Sequence, residues 1–373
     1  MLGVYVHIPF CASKCFYCDF YSKTNRENEQ AYIDALLQEI LSETELLGER
    51  AVDSIYIGGG TPSIIDKESI AKILDVLKFF SSEDAEITIE VNPESVTYDK
   101  LKTYFDCGVN RLSIGLQSIN NETLKKIGRN ATISDFKKAY NMAVDIGFKN
   151  ISCDVIIGLP DETLNMFERT VDYILSLEHI THISAYSLEV HENSKLDFLI
   201  KNNFVELPSE ETERQMKYLL DNKLDKAGFN RYEISNYAKQ GFESKHNLKY
   251  WNGEQYLGFG AAAASFVNSV RYKNISNIDK YIENISTGNS NKEEIEEMDK
   301  LAIIKEYIIL RLRLKEGINF KVFKSKFKQD IFDLYKDKID LLVSQGLLEV
   351  NEDSLRLTYK GEDLANIVWQ EFI

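Results

Sequence analysis

The sequence predicts an α/β protein with a mainly parallel sheet, followed by a smaller helical domain with a two-stranded ribbon. Three observations support this. Short runs rich in Val, Ile and Tyr alternate with longer stretches of helical periodicity, the runs are apolar on both faces, and the pattern changes from about residue 293. A sheet covered by helices on both faces has such strands.

Six strand-like runs occur before residue 190: "GVYVHI", "VDSIYIGG", "EITIEV", "NRLSIGL", "ISCDVIIGLP" and "THISAYSL". Helical patterns lie between them, at 29–47, 67–80, 134–146 and 163–177. Successive βα units predict parallel strands joined by right-handed crossovers. The pattern fits an open doubly wound sheet or a partial barrel, and in both a ligand binds where the strands end, at their carboxyl edge.

The last part of the chain begins with the helical pattern "KLAIIKEYIILRLRL". Two short strands, "LEV" and "LRLT", follow a second long helical pattern and flank the turn "NEDS". Helices followed by a ribbon indicate a small winged-helix-like domain, and the polar segment 287–292 is predicted as the linker before it.

Composition narrows the functional classes. Apolar residues make up 44% and charged residues 28%, which is typical of a globular protein, and the net charge of −15 argues against general nucleic-acid binding. The longest uncharged stretch, 255–270, is too short to cross a bilayer, so no integral membrane segment is expected. The start lacks a basic leader, and five cysteines are too few for a disulfide scaffold. We therefore expect a cytoplasmic protein.

Three cysteines, Cys11, Cys15 and Cys18, fall close together directly after the first strand. As inert core residues they would be an implausible coincidence. A zinc site would need a fourth ligand, for which His7 is the nearby candidate. A [4Fe–4S] cluster would be held at three corners, which leaves one iron without a protein ligand. We favour the cluster, because the C-x₃-C-x₂-C spacing after a strand lets one short loop hold three of its corners. The open iron could then bind the amino and carboxylate groups of S-adenosylmethionine (SAM).

The motif "CASKCFYC" resembles the CxxxCxxC signature of the radical SAM superfamily. The resemblance implies a partial (β/α)₆ barrel, which agrees with the six βα units. It also implies three segments: 1–195 as the radical SAM partial barrel with the cluster loop, 196–290 as a region that completes and connects the barrel, and 291–373 as the winged-helix-like domain.

The run "IYIGGGTPS" ends the second strand, and its glycines allow backbone groups to approach a ligand closely. A phosphate loop is less favoured because no GK[ST] follows, and a tight βα turn is the alternative for any one of these glycines. The resemblance assigns Gly59, Gly60 and Thr61 to the methionine end of SAM. It assigns Glu90, which closes the third strand, to the ribose hydroxyls; alone, such a glutamate is more often a solvated charge.

Further SAM-site candidates lie at successive strand ends or in the loops after them. Each is a weak signal alone, and their shared rim strengthens them. The candidates are Gln117, Arg129 and Asp154, with Tyr5 and Tyr17 beside the cluster, Ala185 at the adenine pocket, and Ala264. Cys107 and Cys153 are interpreted as core residues.

Over nearly its whole length the chain resembles the oxygen-independent coproporphyrinogen III oxidase group, through "VYVHIPFCASKCFYCDFYS", "GGGTPS", "IEVNPES", "RLSIGLQS", "DVIIGLP" and "ISAYSLE". This group contains the oxidase, HemN, and a haem chaperone branch, HemW. The oxidase has a fourth cysteine two places after the third, where this chain has Asp19 and Phe20, and an N-terminal extension that precedes the cluster. Both differences favour the chaperone branch.

The segment "HNLKYW" resembles the HNxxYW segment of that branch. It makes His246 a candidate haem ligand, and Tyr250 and Trp251 candidates for stacking on the porphyrin. The alternative is that His246 is a hydrogen-bonded loop residue and the aromatics are core. Ala264 stands where the chaperone pattern has histidine. His7, His179, His182 and His191 remain candidate ligands.

The lysine-rich segment "KVFKSKFK", residues 321–328, lies in the net acidic last domain. We expect a lid or docking role there, in which the lysines contact porphyrin propionates, acidic partner proteins or, peripherally, anionic lipid. A zinc-bound, DNA-reading winged-helix regulator is the least favoured alternative.

The resemblance thus predicts a haem chaperone that binds a [4Fe–4S] cluster, SAM and haem, and delivers haem to acceptor apo-haemoproteins. The alternative is an enzyme, a coproporphyrinogen dehydrogenase-type oxidoreductase that decarboxylates coproporphyrinogen III and requires an electron donor.

Overall fold

The computed structural model describes residues 1–373, the whole chain. The strands, in chain order, are β1 (Leu2–Ile8), β2 (Val52–Gly59), β3 (Ser81–Val91), β4 (Arg111–Gln117), β5 (Asn150–Ile157), β6 (Ile180–Ser187), β7 (Asn230–Glu233), β8 (Asn236–Ala238), β9 (Tyr256–Phe259), β10 (Ala264–Val267), β11 (Val270–Asn274), β12 (Lys292–Glu297), β13 (Ile318–Asn319), β14 (Leu348–Val350) and β15 (Ser354–Leu357).

The helices are α1 (Glu29–Ser42), α2 (Thr44–Gly48), α3 (Lys67–Lys78), α4 (Tyr98–Asp106), α5 (Asn121–Lys126), α6 (Ile133–Ile146), α7 (Leu164–Leu175), α8 (Lys195–Lys201), α9 (Glu210–Lys226), α10 (Lys245–Trp251), α11 (Ile278–Thr287), α12 (Lys300–Arg311), α13 (Phe320–Phe327), α14 (Ile331–Ser344), α15 (Tyr359–Asp363) and α16 (Ala365–Gln370).

Strands β1 to β6 lie side by side in chain order and pair in parallel. Strand β9 adds parallel to β1, and β10 to β12 continue the sheet antiparallel beyond it. On the other side β8 pairs antiparallel to β6, and β7 pairs antiparallel to β8. The twelve strands do not close, because β12 and β7 are free edges. The predicted α/β fold, a partial (β/α)₆ barrel, is confirmed.

Alternation along the strands separates two faces. On β1, Val4, Val6 and Ile8 are buried in the main core beneath the helices, whereas Tyr5 and His7 point to the inner face of the curved sheet. The outer layer holds the amphipathic helices, and α6 begins with a capping box between Thr132 and Asp135. The inner face is polar along most strands.

Helix α10 lies across the amino ends of the first strands and forms the floor of the barrel. The Glu86 carboxylate of β3 accepts hydrogen bonds from the backbone N–H groups of Lys245 and His246, 3.0 and 3.2 Å away, at the positive end of the helix. The His246 ring lies against Ser54 of β2 and beside Gly3 of β1. A short helix therefore fills the end of the barrel opposite to the predicted ligand edge.

A second core of 18 buried residues begins with Ile304 of α12. Its elements follow the winged-helix order of helix, strand, two helices and a ribbon, with β13, β15 and β14 in one sheet. Strand β12 belongs to the large sheet, so that sheet continues past the predicted boundary at residue 290 and past the predicted linker 287–292, which joins α11 to β12. The division at 195 and 290 stays a prediction.

No helix is both long and apolar enough to cross a membrane.

Candidate functional site

The cysteine loop follows the carboxyl end of β1. The Cys11 N–H donates to Lys23 O over 3.0 Å, and the Lys23 N–H donates to Pro9 O over 2.8 Å, so the loop returns alongside its own start. The Phe16 N–H donates to Ile127 O over 2.9 Å, which joins the loop to α5. All three cysteines are free thiols; Cys11 is buried, and Cys15 and Cys18 are half-buried.

The glycine run after β2 packs directly on this loop. The N–H groups of Gly60 and Thr61 donate to Ile8 O and Phe10 O, each over 2.8 Å, and Thr61 Oγ1 lies 3.5 Å from Cys11 Sγ. A Cβ at Gly60 would stand 2.6 Å from Phe10 O and 3.0 Å from Cys11 Sγ. Only glycine allows this approach.

Gly59 is constrained in a second way. It has φ of +112°, and a Cβ there would stand 2.6 Å from the His7 ring. A side chain at this position would therefore be both strained and blocked by the neighbouring strand.

Burial raises the pKa of the Cys15 and Cys18 thiols, and the guanidinium of Arg129 acts on Cys15 in the opposite direction. No three His, Cys, Asp or Glu side chains are grouped closely enough to ligate a single metal ion. In a [4Fe–4S] cluster each thiolate binds a different iron, so the thiols need not converge on one point. The zinc alternative loses its fourth ligand, because His7 Nδ1 and Nε2 are hydrogen-bonded to Tyr5 Oη and Tyr21 O, both over 2.9 Å.

Glu90 reaches the inner face between β2 and β3. Its carboxylate accepts hydrogen bonds from Tyr56 Oη over 2.8 Å and from the Gly59 N–H over 3.3 Å. Burial raises the pKa of Glu90 to about 7, while the hydrogen bond from Tyr56 lowers it. Glu90 thus stands beside the glycine run with lone pairs still available for a hydroxyl-bearing ligand.

Arg129 lies just after α5, and its side chain reaches the residues at the ends of β3 and β4. Its Nη2 donates to Asn92 Oδ1 over 3.0 Å and to Gly115 O over 2.8 Å. Its Nε is buried without a hydrogen-bond partner. Gln117, at the end of β4, has φ of +65°, which strains a residue with a side chain. An unpaired donor and a strained strand end both lie on the predicted rim.

Asp154 on β5 faces the interior, where both its carboxylate oxygens accept from Ser113 Oγ over 3.0 Å. Burial raises the pKa of Asp154, and the hydrogen bonds from Ser184 and Ser113 lower it. Tyr5 is held by His7 and stacks on Tyr56, with ring centroids 6.3 Å apart.

Two of the residues predicted to contact SAM, Ala185 and Ala264, are placed differently from the residues described above. The Ala185 side chain packs in the main core, because alternation along β6 directs Ser184 to the interior and Ala185 to the helices, and its N–H already donates to Ser235 O over 2.7 Å. Ala264 begins β10 beyond the turn after β9 and is exposed. Their contacts with SAM stay predictions.

The candidate haem residues lie at the floor. His246 is 1% exposed; its Nδ1 is 3.0 Å from Ser54 Oγ and its Nε2 is 2.8 Å from Tyr250 Oη, so neither ring nitrogen is free. Burial, with Lys249 as a smaller cause, lowers the pKa of His246 to about 3. The Trp251 ring packs under the guanidinium of Arg313, whose carbon lies 4.4 Å from the ring centroid.

The floor and the cysteine loop are far apart. Gly3, which neighbours His246, and Ile8, which precedes the cysteine loop, are five residues apart on β1, and five strand residues span about 16 Å. His246 is therefore built into the floor, and its role as a haem ligand stays a prediction.

Sequence reasoning missed Tyr56, Asn92 and Ser113, which hold Glu90, Arg129 and Asp154. Each is a polar residue on the inner face or just after a strand. The alternation "IYIGG" carries the signal for Tyr56, since it lies two places before Gly58 on the same face of β2.

The fold and the cysteine loop indicate a radical SAM protein, and comparison with known proteins supports this class. Residues 5–174 match the Radical SAM superfamily, and residues 298–364 match the HemN C-terminal domain. The structure of coproporphyrinogen III oxidase (HemN) from Escherichia coli superposes with a TM-score of 0.87 over 100% of this chain and 89% of that one. Its sequence is 24% identical, so this likeness shows the fold alone.

Full-length relatives narrow the class. The protein named Heme chaperone HemW from Bacillus subtilis (strain 168) is 35% identical over 377 residues, which cover 100% of this chain and 99% of the relative. That of Lactococcus lactis subsp. lactis (strain IL1403) is 34% identical, covering 100% and 97%, and that of Escherichia coli (strain K12) is 30% identical, covering 100% and 98%. The chain belongs to the HemW family, and the resemblance seen in its sequence is confirmed.

Proposed function

We propose that this protein is a cytoplasmic haem chaperone that holds a [4Fe–4S] cluster and SAM at the carboxyl edge of its barrel, binds haem, and delivers it to acceptor apo-haemoproteins. The observation that carries the proposal is the packing of Gly60 and Thr61 on the cysteine loop, which brings the glycine run within 3.5 Å of Cys11 Sγ. The haem part is supported by full-length likeness to relatives named heme chaperones.

Cys11, Cys15 and Cys18 would hold three corners of the cluster. With an open iron, such a cluster supplies a chelation point for SAM and a source of one electron. The chain contributes the positions of the thiols: hydrogen bonds from Gly60 and Thr61 fix the start of the loop, and the bond from Phe16 to Ile127 fixes its middle.

The residues present fit SAM on two observations. Arg129 offers a buried Nε–H that has no partner within the protein, and the Glu90 carboxylate beside the glycine run keeps lone pairs for a hydroxyl-bearing ligand. Gly59, Gly60 and Thr61 would meet the methionine end, and Glu90 would accept from the ribose hydroxyls. In this proposal SAM organises the site; if it is cleaved, an external electron donor is required.

Cysteine substitution tests the cluster. Anaerobically purified protein should be brown and contain about four irons per chain. Cys15→Ser should lose most of that iron, whereas the matched control Cys107→Ser, a half-buried cysteine outside the loop, should keep it. Equal iron in both variants would contradict the ligand assignment.

The enzyme alternative is tested directly. The protein, with its cluster, SAM and a reductant, is incubated with coproporphyrinogen III, and the products are analysed for vinyl groups. We expect none, together with saturable haem binding in a Soret titration. Formation of the vinyl-bearing product, or an absence of haem binding, would overturn the chaperone proposal.

A further inference from the structure

A fully buried histidine lies in the barrel interior between the floor and the predicted SAM residues. His182 is on β6, where its Nδ1 is 2.8 Å from Ser152 Oγ, its register partner on β5, and its Nε2 is 2.8 Å from Tyr232 Oη of β7. Burial, followed by the guanidinium of Arg111, lowers the pKa of His182 well below its ordinary value. The ring is therefore neutral, with one N–H and one acceptor nitrogen.

The Tyr232 side of this ring decides which nitrogen carries the proton. The Ser244 N–H, just before α10, donates to Tyr232 Oη over 3.3 Å, so that oxygen already accepts a hydrogen bond from the floor. Its own proton remains to be donated, and His182 Nε2 is its acceptor. An N–H at Nε2 would instead leave the Tyr232 hydroxyl proton without a protein partner, which is costly in a protein interior. The network therefore assigns the proton of His182 to Nδ1.

The other side of the ring reaches Asp154 through Ser152. Ser152 Oγ accepts from the Nδ1–H of His182, so its own proton is left for Asp154 Oδ1, 3.4 Å away on the same face of β5. Ser113 Oγ lies 3.0 Å from both oxygens of this carboxylate, and Ser184 Oγ lies 3.5 Å from Ser152 Oγ. With the proton on Nε2, Nδ1 would take the Ser152 proton and Asp154 would lose that donor. The tautomer of His182 therefore decides how the Asp154 carboxylate is held.

We infer that His182 is a positioning residue of the SAM site, which acts through Ser152 to orient the Asp154 carboxylate toward donor groups of SAM. The O–H of Tyr232, the N–H of His182 and the O–H of Ser152 donate in series from the floor to the carboxylate. Asp154 is half-buried, so it stays open to a ligand on the side away from the serines. This inference rests on the proposed binding of SAM, and His182 acts in it without contacting SAM.

Two amide substitutions separate this role from simple filling of the interior. The shorter side chain of His182→Asn ends near the position of Nδ1 and can donate to Ser152, whereas the longer one of His182→Gln ends near Nε2 and reaches Tyr232. The Kd for SAM is measured by anaerobic equilibrium dialysis on the full-length protein with its cluster. His182→Gln should weaken this Kd about tenfold, as expected for one hydrogen bond to a charged group, and His182→Asn should stay within about twofold of the wild type.

Ser152→Ala removes the link itself. It should weaken the Kd for SAM about as much as His182→Gln, and the double variant should weaken it no further, because both changes act on one chain of hydrogen bonds. Thr181→Ala is the matched control, since it removes a buried hydroxyl next to His182 whose hydrogen bonds lie on the other face of β6. It should keep the wild-type Kd, and all of these variants should keep the wild-type iron content.

The tautomer is tested without SAM, by nitrogen NMR of the full-length protein with isotope-labelled histidine. The signal that His182→Asn lacks should be that of a neutral ring protonated at Nδ1. Protonation at Nε2 would overturn the inference and leave the proposed function in place, and so would a wild-type Kd in His182→Gln or equal losses in the two amide variants. If the wild type itself binds no SAM, the inference and the SAM part of the proposed function both fail.

Discussion

Gly60→Ala tests whether the glycine run exists to admit the cysteine loop. The added Cβ would stand 2.6 Å from Phe10 O and 3.0 Å from both Ile8 O and Cys11 Sγ. Two of these three atoms belong to the backbone, so relief requires the loop to move by about 0.8 Å to reach the 3.4 Å of ordinary contact.

The cost follows from those contacts. Overpacking costs about 1–3 kcal/mol, and the same movement strains the two 2.8 Å hydrogen bonds from Gly60 and Thr61, each worth about 1 kcal/mol. We therefore expect a destabilisation of about 2–4 kcal/mol, concentrated at the loop that carries Cys11.

The assay combines iron content after anaerobic purification with the thermal unfolding midpoint. Gly60→Ala should lose most of its iron and unfold several degrees earlier. Gly48→Ala is the matched control, since a Cβ there meets nothing within 4 Å, and it should match the wild type in iron content. A Gly60→Ala protein with full iron and an unchanged midpoint would refute the reasoning.

Three further predictions concern the rim, the floor and the interior. Gln117→Gly should raise the unfolding midpoint, because it relieves a φ of +65° that costs about 1 kcal/mol; a lower midpoint would show that the side-chain contacts outweigh the strain. Lys249→Met should destabilise by about 2–4 kcal/mol in denaturant unfolding, because the Asp53 carboxylate loses the ammonium group that lies 2.6 Å away on a lysine side chain only 4% exposed. A change under about 1 kcal/mol would contradict this. The pKa of Glu90 is raised from 4.5 to about 7, so its contribution to stability is present below pH 4.5 and is lost as pH rises through 7. Glu90→Gln should therefore flatten the pH dependence of the thermal unfolding midpoint between about pH 5 and 8. An unchanged slope would exclude Glu90 as the source of that dependence.

Much of the cofactor side could be predicted from the sequence because it depends on local spacing. The three cysteines follow one strand within a few residues, and the glycines end the next strand. Parallel strands bring such neighbouring ends to one edge. Glu90 and Arg129 could be placed near that edge in the same way, whereas Asp154 lies three residues before the end of β5 and faces the barrel interior.

The haem side could not be placed by spacing. His246, Tyr250 and Trp251 form one compact aromatic segment in the sequence, yet α10 lies at the amino ends of the strands, where burial and hydrogen bonds occupy the imidazole. The sequence of a short helix does not indicate which end of a barrel it will cover. That depends on where Glu86 and Ser54, which form hydrogen bonds with α10, lie in the folded sheet.

The sequence by itself determined the βα succession and the ligands that follow each strand, because strand periodicity and chain order are local properties. The tertiary structure alone decided which histidine stays accessible and which face Ala185 occupies. Those outcomes depend on packing between elements distant in the chain, which excludes water from one imidazole and leaves another, His191, at the mouth beside the cysteine loop.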